Sequence, residues 1–429
     1  MRLVRSLLPS ATLAGEPIVI ILIEAVLAAS KLSIPFMTLY LVQSHGLDYA
    51  TAGLFIAVRG LGGLAAVMLA GAAADRFGEK PVMLILLAGA SVSALAIPSL
   101  HTVDALLLGF FSLGAFVNAV QPAFSSMVVR TMPVRSWTEV YAAEYWALNI
   151  GFAITALVGG RIAVHNFDWL FYGEAVGTLA ALVLVIKLLP PTLPKERRTT
   201  VGSTDQRALG RAREWLAVIS LATRDRLAMA LVSSTLLLAM CLSQMTSTLP
   251  LDMEALGYSP ELYGYVIFLN GALLTLLQIG AGRLIARRNR SRVLALAAGV
   301  SAVGYTMIAL PPSSILLILL SLTVWTIGEM MDAPVRNSVV TALAKPGSRA
   351  RYLGLVSAAL TIGYCIGPWI GGWVLQAAGR QALWLSTAGC AIASGLIRYA
   401  IASRVEHRVA RSVHLRAELT EARCPEPTD

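Results

Sequence analysis

The chain has 429 residues, 57% of them apolar and only 14% charged, with a mean hydropathy of +0.71 and a formal net charge of +10. A soluble domain carries roughly a quarter charged residues, so this balance excludes a water-soluble fold. Its four cysteines form no CxxC pair, which excludes a thiolate metal site and a disulfide framework.

Many apolar runs approach the ~20 residues that cross a bilayer as a helix, and they are too long and too Leu/Ala/Ile-rich for barrel strands. In chain order they predict twelve spans, at 17–43, 50–73, 81–100, 103–130, 137–161, 168–189, 227–250, 261–286, 292–310, 314–343, 352–377 and 381–402. The opening "MRLVRSLLPSATLAGEP" is basic but lacks an A-x-A cleavage site, so it is expected to be retained. The one long connection, "PPTLPKERRTTVGSTDQRALGRAREW", reads as a linker with a short surface helix at 206–221. The expected organisation is an N-terminal six-helix bundle (1–189), a basic linker (190–226), a C-terminal six-helix bundle (227–403) and a tail (404–429).

With the N-terminus in the cytoplasm, most Lys and Arg fall in cytoplasmic segments, so both termini are expected there. The positive charge is then a topological signal. A basic stripe with interleaved aromatics is absent, and no nucleic-acid partner is expected.

The chain is written twice. "AGLFIAVRG" (52–60) lines up with "YGYVIFLNG" (263–271), Pro122 with Pro334, Gly151 with Gly363, and Gly159-Gly160 with Gly371-Gly372, at a nearly constant offset. Such a series implies two halves in parallel repeat.

Between the second and third spans stands "GAAADRFGEKP", with Gly71, Asp75, Arg76, Gly78 and Lys80. Gly71 would let two helices approach closely and Gly78 would permit a tight turn. Asp75 could accept from a neighbouring helix N-terminus and from basic side chains, as a charge latch. Together with twelve spans in two related halves, this loop resembles the G-x-x-x-D-R-x-G-R-R/K signature of the major facilitator superfamily, with Glu79 as the departure. The resemblance covers nearly the whole chain. It implies an all-α membrane fold of two six-helix bundles in pseudo-twofold repeat.

"YGYVIFLNGALLTLLQ", "EYWALNIG" and "ARYLGLVSAALTIGYCIGPWIGG" resemble the twelve-helix drug:proton antiporters of bacteria. Their Gly-Pro-x-x-Gly-Gly element stands intact in the eleventh span as Gly367, Pro368, Gly371 and Gly372. In the fifth span, where that group carries it, only Gly159 and Gly160 remain. Another family element, an arginine four residues before a glycine in the fourth span, is replaced by Phe110 before Gly114.

Polar groups inside the spans are few. An unpaired Arg59 would cost at least ~2.5–3.5 kcal/mol, so it is expected to face a carboxylate, and Glu24 is its partner by depth. Lys31 lies seven residues after Glu24, nearly on the same face. For Glu144, a proton is the easiest counter-ion at its depth, with Asn149 and Tyr145 offering hydrogen bonds; Glu174 reads as interfacial. In "GEMMDAPVRN" (328–337), Glu329, Asp332 and Arg336 fall within about 60° on one helix face. Arg336 can neutralise Asp332, leaving Glu329 as the deeper acid, and Pro334 predicts a kink.

The coupling candidates are therefore Glu329, Glu144, Asp332 and Glu24, with Arg336 and Arg59 as charge partners. Asn270, Gln278, Asn149, Tyr145, Trp146 and Gln121 are cavity-lining candidates. Phe36, Met37, Tyr40 and Trp325, with Tyr145 and Trp146, would add a loose apolar surface. No histidine pair has metal-ligand spacing and no G-x-x-x-x-G-K-[ST] run could hold ATP, so no metal or cofactor is expected. Without a nucleophile–base constellation, an enzyme is not expected either. The reading is a proton-gradient-driven transporter, monomeric among bacterial cell-membrane lipids, that exports amphipathic or drug-like small molecules by alternating access. The alternatives are a proton-coupled importer of a polar metabolite and a lipid or natural-product mover on the same fold.

Overall fold

The computed structural model describes residues 15–131, 137–191, 225–285, 289–311, 314–344 and 348–421; the surface helix expected at 206–221 lies outside them. The helices are α1 (Glu16–Ser30), α2 (Met37–His45), α3 (Tyr49–Phe77), α4 (Glu79–Ala96), α5 (Val103–Ala119), α6 (Gln121–Thr131) and α7 (Trp137–Ala163). They continue as α8 (Asp168–Leu188), α9 (Arg226–Ala255), α10 (Pro260–Ile285), α11 (Arg290–Ala309), α12 (Ile315–Leu343) and α13 (Arg349–Glu421). Among the described residues, 10 helical stretches are long and apolar enough to cross a membrane. The twelve predicted spans are recovered because the first is broken into α1 and α2, and the last two run together as α13.

Each irregularity has a local cause. The first span was expected to be continuous over 17–43, but it breaks at Lys31–Phe36. Pro35 has no N–H and disfavours the helical conformation at Ile34, so the chain crosses in turns closed by Ile34 N to Lys31 O and Phe36 N to Ser33 O, both 3.2 Å. The fourth span also breaks, at Val120. Pro122 then falls in the first turn of α6, where the missing N–H has no helical partner to lose. Its repeat partner Pro334 stays inside the unbroken α12. In α13, Gly379 adopts φ 79°, a left-handed conformation that separates the eleventh and twelfth spans.

Helix starts are capped as their sequences suggest. Asp48, Asn289 and Ser314 accept from the backbone N–H groups of Thr51, Arg292 and Leu317 at 2.9, 3.0 and 3.3 Å.

Contacts group the chain into two units that cut across the sequence repeat. One comprises Met1–Arg198, Ser243–Leu276 and Tyr364–Arg380; the other comprises Thr199–Leu242, Leu277–Gly363 and Gln381–Asp429. The first has a core of Ile23, Leu27, Met83, Leu87, Phe124 and Val185. In lipid such helices gain little from water exclusion, so close packing through small residues holds them. Gly53 lies against the Pro368 backbone, Gly372 against Tyr49, and Gly264 against Ala156 and Gly160.

Hydrogen bonds follow the same seam. Thr38 Oγ1 donates to Ser247 O (2.8 Å), Gln43 Nε2 to Glu254 Oε1 (2.7 Å) and Ala50 N to Gln376 Oε1 (3.1 Å). The end carrying the first-to-second and seventh-to-eighth span connections is thus zipped shut within this unit.

The second unit is built on α11 and α12, where Gly304 meets Trp325 and Gly328 meets Ser301. At the start of α9, Asp225 caps Leu227 and Ala228, accepts from the Tyr352 hydroxyl at 2.5 Å, and pairs with Arg408 at 2.7 Å. Burial pushes its carboxyl up, but the bonds from Arg408 and Tyr352 prevail and hold it below its ordinary value.

A carboxylate depressed in the folded state stabilises above its unfolded pKa and loses that contribution as pH falls through its folded pKa. Asp225→Asn is therefore expected to cost ~1–3 kcal/mol at neutral pH. The gap from the parent protein should close in acid, below the usual carboxylate range, in thermal unfolding across a pH series. Gly53→Leu is expected to cost ~1–3 kcal/mol by overpacking, whereas Gly71→Leu, with open space around it, should not. Thermal midpoints of the two purified variants decide this.

Candidate functional site

Three buried clusters of the described residues hold the candidate acids and arginines of the spans. The first joins α1, α6 and α7. Gln121 follows the break at Val120, and its single amide nitrogen donates to Glu24 Oε1 at 3.0 Å and to Glu144 Oε1 at 2.9 Å. An NH2 group has two hydrogens, so each acid receives one. The second oxygens, Glu24 Oε2 and Glu144 Oε2, are buried without a hydrogen-bond partner. Both residues are buried, at 2% and 7% exposure. Among the described residues neither acid forms an ion pair.

The second cluster corrects the expected Glu24–Arg59 pair. Arg59 faces Glu174 at 3.6 Å, and Glu174 is buried rather than interfacial. Glu174 Oε2 accepts from Ser33 N at 3.1 Å and Ser33 Oγ at 2.5 Å. The break at 31–36 makes this possible, because a continuous helix would have engaged the Ser33 N–H in its own ladder. Lys31 stands half-buried in the same break, within electrostatic reach of Arg59, Glu174 and Glu24. Arg59 also packs against Gly114, four residues after Phe110. It thus lies beside the place where the resemblance led one to expect an arginine in the fourth span.

The third cluster lies in the second unit. Arg336 contacts Asp332 one turn away, as the spacing predicts, but Arg398 reaches the other oxygen of Asp332 at 2.5 Å. Arg398 also donates to Ser234 Oγ and Leu294 O, both at 3.2 Å. Asp332 is therefore matched twice and ties α12 and α13 to α9 and α11. Sequence reasoning placed Arg398 within a span but gave it no partner, although a lone arginine in "GLIRYA" demands an acid by the rule applied to Arg59. Glu329 is half-buried one turn before Asp332.

The remaining candidates scatter. Asn149 donates to Tyr145 O at 2.8 Å, Trp146 Nε1 to Thr275 O at 2.8 Å, and Gln278 Nε2 to Met330 O at 3.4 Å. Asn270 is buried and Tyr145 exposed. The expected loose apolar surface is instead mostly core: Phe36, Met37, Tyr40 and Trp325 are at most 1% exposed. Tyr40 packs on Phe171, and Trp325 on Tyr305.

In the signature loop, Gly78 turns the chain at φ 89°, whereas Gly71 meets no neighbour that would require its smallness. Lys80 donates to Ile186 O (2.9 Å) and Leu189 O (2.5 Å), neutralising the carbonyl end of α8. Glu79, the departure from the signature, is buried and accepts from Ser126 Oγ at 3.2 Å. Asp75 and Arg76 are exposed, with the Arg76 guanidinium over Phe77. Of the helix-packing glycines, Gly159 meets the Phe36 ring, Gly160 the start of α10, and Gly371 the Gln244 side chain, which donates to Gly367 O. Among the described residues no group of three metal-ligating side chains converges.

These features can be set beside known proteins. YqjV of Bacillus subtilis, named an MFS-type transporter, is 25% identical over 352 residues, 80% of this chain and 82% of its own. A Na(+), Li(+), K(+)/H(+) antiporter of Planococcus maritimus is 24% identical, covering 81% and 88%. Multidrug resistance protein MdtH of Salmonella paratyphi B is 24% identical, covering 80% and 82%. The crystal structure of a peptide transporter POT variant with sulfate superposes with a TM-score of 0.76 at 16% identity, covering 94% and 97%; that likeness concerns the fold. The Major Facilitator Superfamily model matches residues 20–331 and 233–423. The twelve spans, the signature loop at 71–80 and this match converge: the chain is a multi-pass membrane transporter, not an enzyme, and belongs to the Major Facilitator Superfamily.

Proposed function

We propose that this transporter is a proton-coupled antiporter exporting amphipathic, drug-like small molecules across a bacterial cell membrane by alternating access. In this reading it acts as a monomer, without a cofactor and with both termini in the cytoplasm. The observation that carries it is the Glu24–Gln121–Glu144 bridge: two buried carboxylates share one amide and, among the described residues, neither forms an ion pair, Lys31 acting on Glu24 only from beyond that distance. An uncompensated buried charge costs several kcal/mol, so the site favours binding something positive. A proton satisfies the need, and so does the cationic end of an amphipathic substrate. The two compete, which is the exchange an antiporter requires.

Geometry links this exchange to motion. Gln121 bonds acids on two different helices, so protonating or displacing either one redistributes the contacts among α1, α6 and α7. For the opposite access state, the seam of Thr38–Ser247, Gln43–Glu254 and Ala50–Gln376 must part. Glu329 is the second unit's candidate for a further proton, because Asp332 is already occupied by two arginines. Two relatives, named a cation/proton antiporter and a multidrug resistance protein, support this direction.

The test is proton movement in proteoliposomes driven by a panel of cationic, neutral and anionic compounds. Cationic amphiphiles should move protons in the parent protein, and Glu24→Gln and Glu144→Gln should each remove most of that signal. Silence across the panel, or parental behaviour of both variants, would sink the reading. Arg59 and Glu174 are assigned to holding the fold. Glu174→Gln alone is expected to cost ~3–5 kcal/mol, because Arg59 is left buried without its acid. The double change Arg59→Met with Glu174→Met should recover much of the thermal stability and keep proton exchange.

A further inference from the structure

The connection between the fifth and sixth spans carries a groove of about 640 Å3 that the transport reading does not use. Arg161 and His165, at and just beyond the end of α7, line one part, and Trp169, Tyr172 and Val176 of α8 the other. The volume falls in the range of small-molecule sites.

The walls are apolar and turned away from the protein. Trp169 is 61% and Val176 65% exposed, and the Trp169 ring stands edge-on to Tyr172 at 5.7 Å. On spans that cross a bilayer such outward faces meet lipid, and Trp with Tyr marks the level of the headgroups. The Arg161 side chain is 78% exposed at the rim, and His165 Nδ1 lies 3.1 Å from its carbonyl oxygen. An apolar trough with a guanidinium at its headgroup end matches a molecule with an acyl chain and an anionic phosphate.

Among the described residues Arg161 has one ion-pair partner, Glu261 Oε1 at 3.6 Å, with the guanidinium exposed and Glu261 half-buried. Such solvent-screened pairs contribute little, while a guanidinium can grip a phosphate through two hydrogen bonds. Glu261 also accepts from the Tyr265 hydroxyl at 3.1 Å, so it keeps a donor when Arg161 turns away.

We propose that this groove binds one anionic phospholipid, its phosphate on Arg161 and an acyl chain along Tyr172 and Val176. The assignment rests on the membrane fold alone and stands independently of the exported substrate. The test reconstitutes the full chain with phosphatidylglycerol or phosphatidylcholine carrying brominated acyl chains, at equal mole fraction, and reads tryptophan fluorescence. The chain has 8 tryptophans, so the Trp169 contribution is taken as the difference from Trp169→Phe.

One basic group near an anionic headgroup contributes about 1 kcal/mol, so the brominated anionic lipid should occupy the groove about fivefold more than the neutral one. The Trp169-dependent quenching should show that preference, lose it in Arg161→Gln and keep it in Arg161→Lys and Glu261→Gln. Equal quenching by the two lipids, meaning an ordinary lipid coat, overturns the proposal. So does a preference that survives in Arg161→Gln.

Discussion

Asp332 accepts from Arg336 and Arg398, and Glu174 accepts from Ser33 while facing Arg59. Both arrangements answer one constraint: a charge among apolar helices must be matched within the bundle, because lipid supplies no hydrogen bonds. The matching reaches beyond pairs. Arg398 ties α13 to α9, α11 and α12 through Ser234, Leu294 and Asp332, and Glu174 fixes the turn between α1 and α2. Breaking either cluster leaves a charge stranded, so these groups hold their helices to one another.

Against that background the Glu24–Gln121–Glu144 bridge stands out chemically. Here two acids are buried with an amide between them, and each keeps a second oxygen without a partner. Asp332 is matched twice over, whereas Glu24 and Glu144 share one amide and have no ion-pair partner among the described residues. The proposed antiport places proton and substrate at these two acids. The cost of leaving the site charged and empty is the physical link between occupancy and conformation.

Much of the fold was legible in the residues. Hydropathy gave the spans, the repeat gave the two related halves, and "GAAADRFGEKP" with its turn at Gly78 gave the family. The i, i+4 spacing of Asp332 and Arg336 gave their contact. What failed were inferences by depth. Glu24 and Arg59 sit at similar depths in adjacent spans, yet Arg59 turns to Glu174, because Pro35 breaks the first span and presents the Ser33 N–H to that acid. Phe36, Met37 and Tyr40 read as a loose surface because hydropathy cannot distinguish a cavity wall from a packed core.

The sequence by itself determined that the chain crosses a membrane many times, that it is written twice, and that its few intramembrane charges require partners. These follow from composition, periodicity and the cost of burying charge, which are local properties. Only the tertiary structure decided the partners of Arg59, Glu174 and Arg398. Proline supplies a further instance: Pro122 follows a break and brings Gln121 to two acids, whereas Pro334 remains inside a continuous helix beside Asp332. The same residue in the same repeat position has opposite outcomes, so the local pattern alone does not decide whether the backbone breaks.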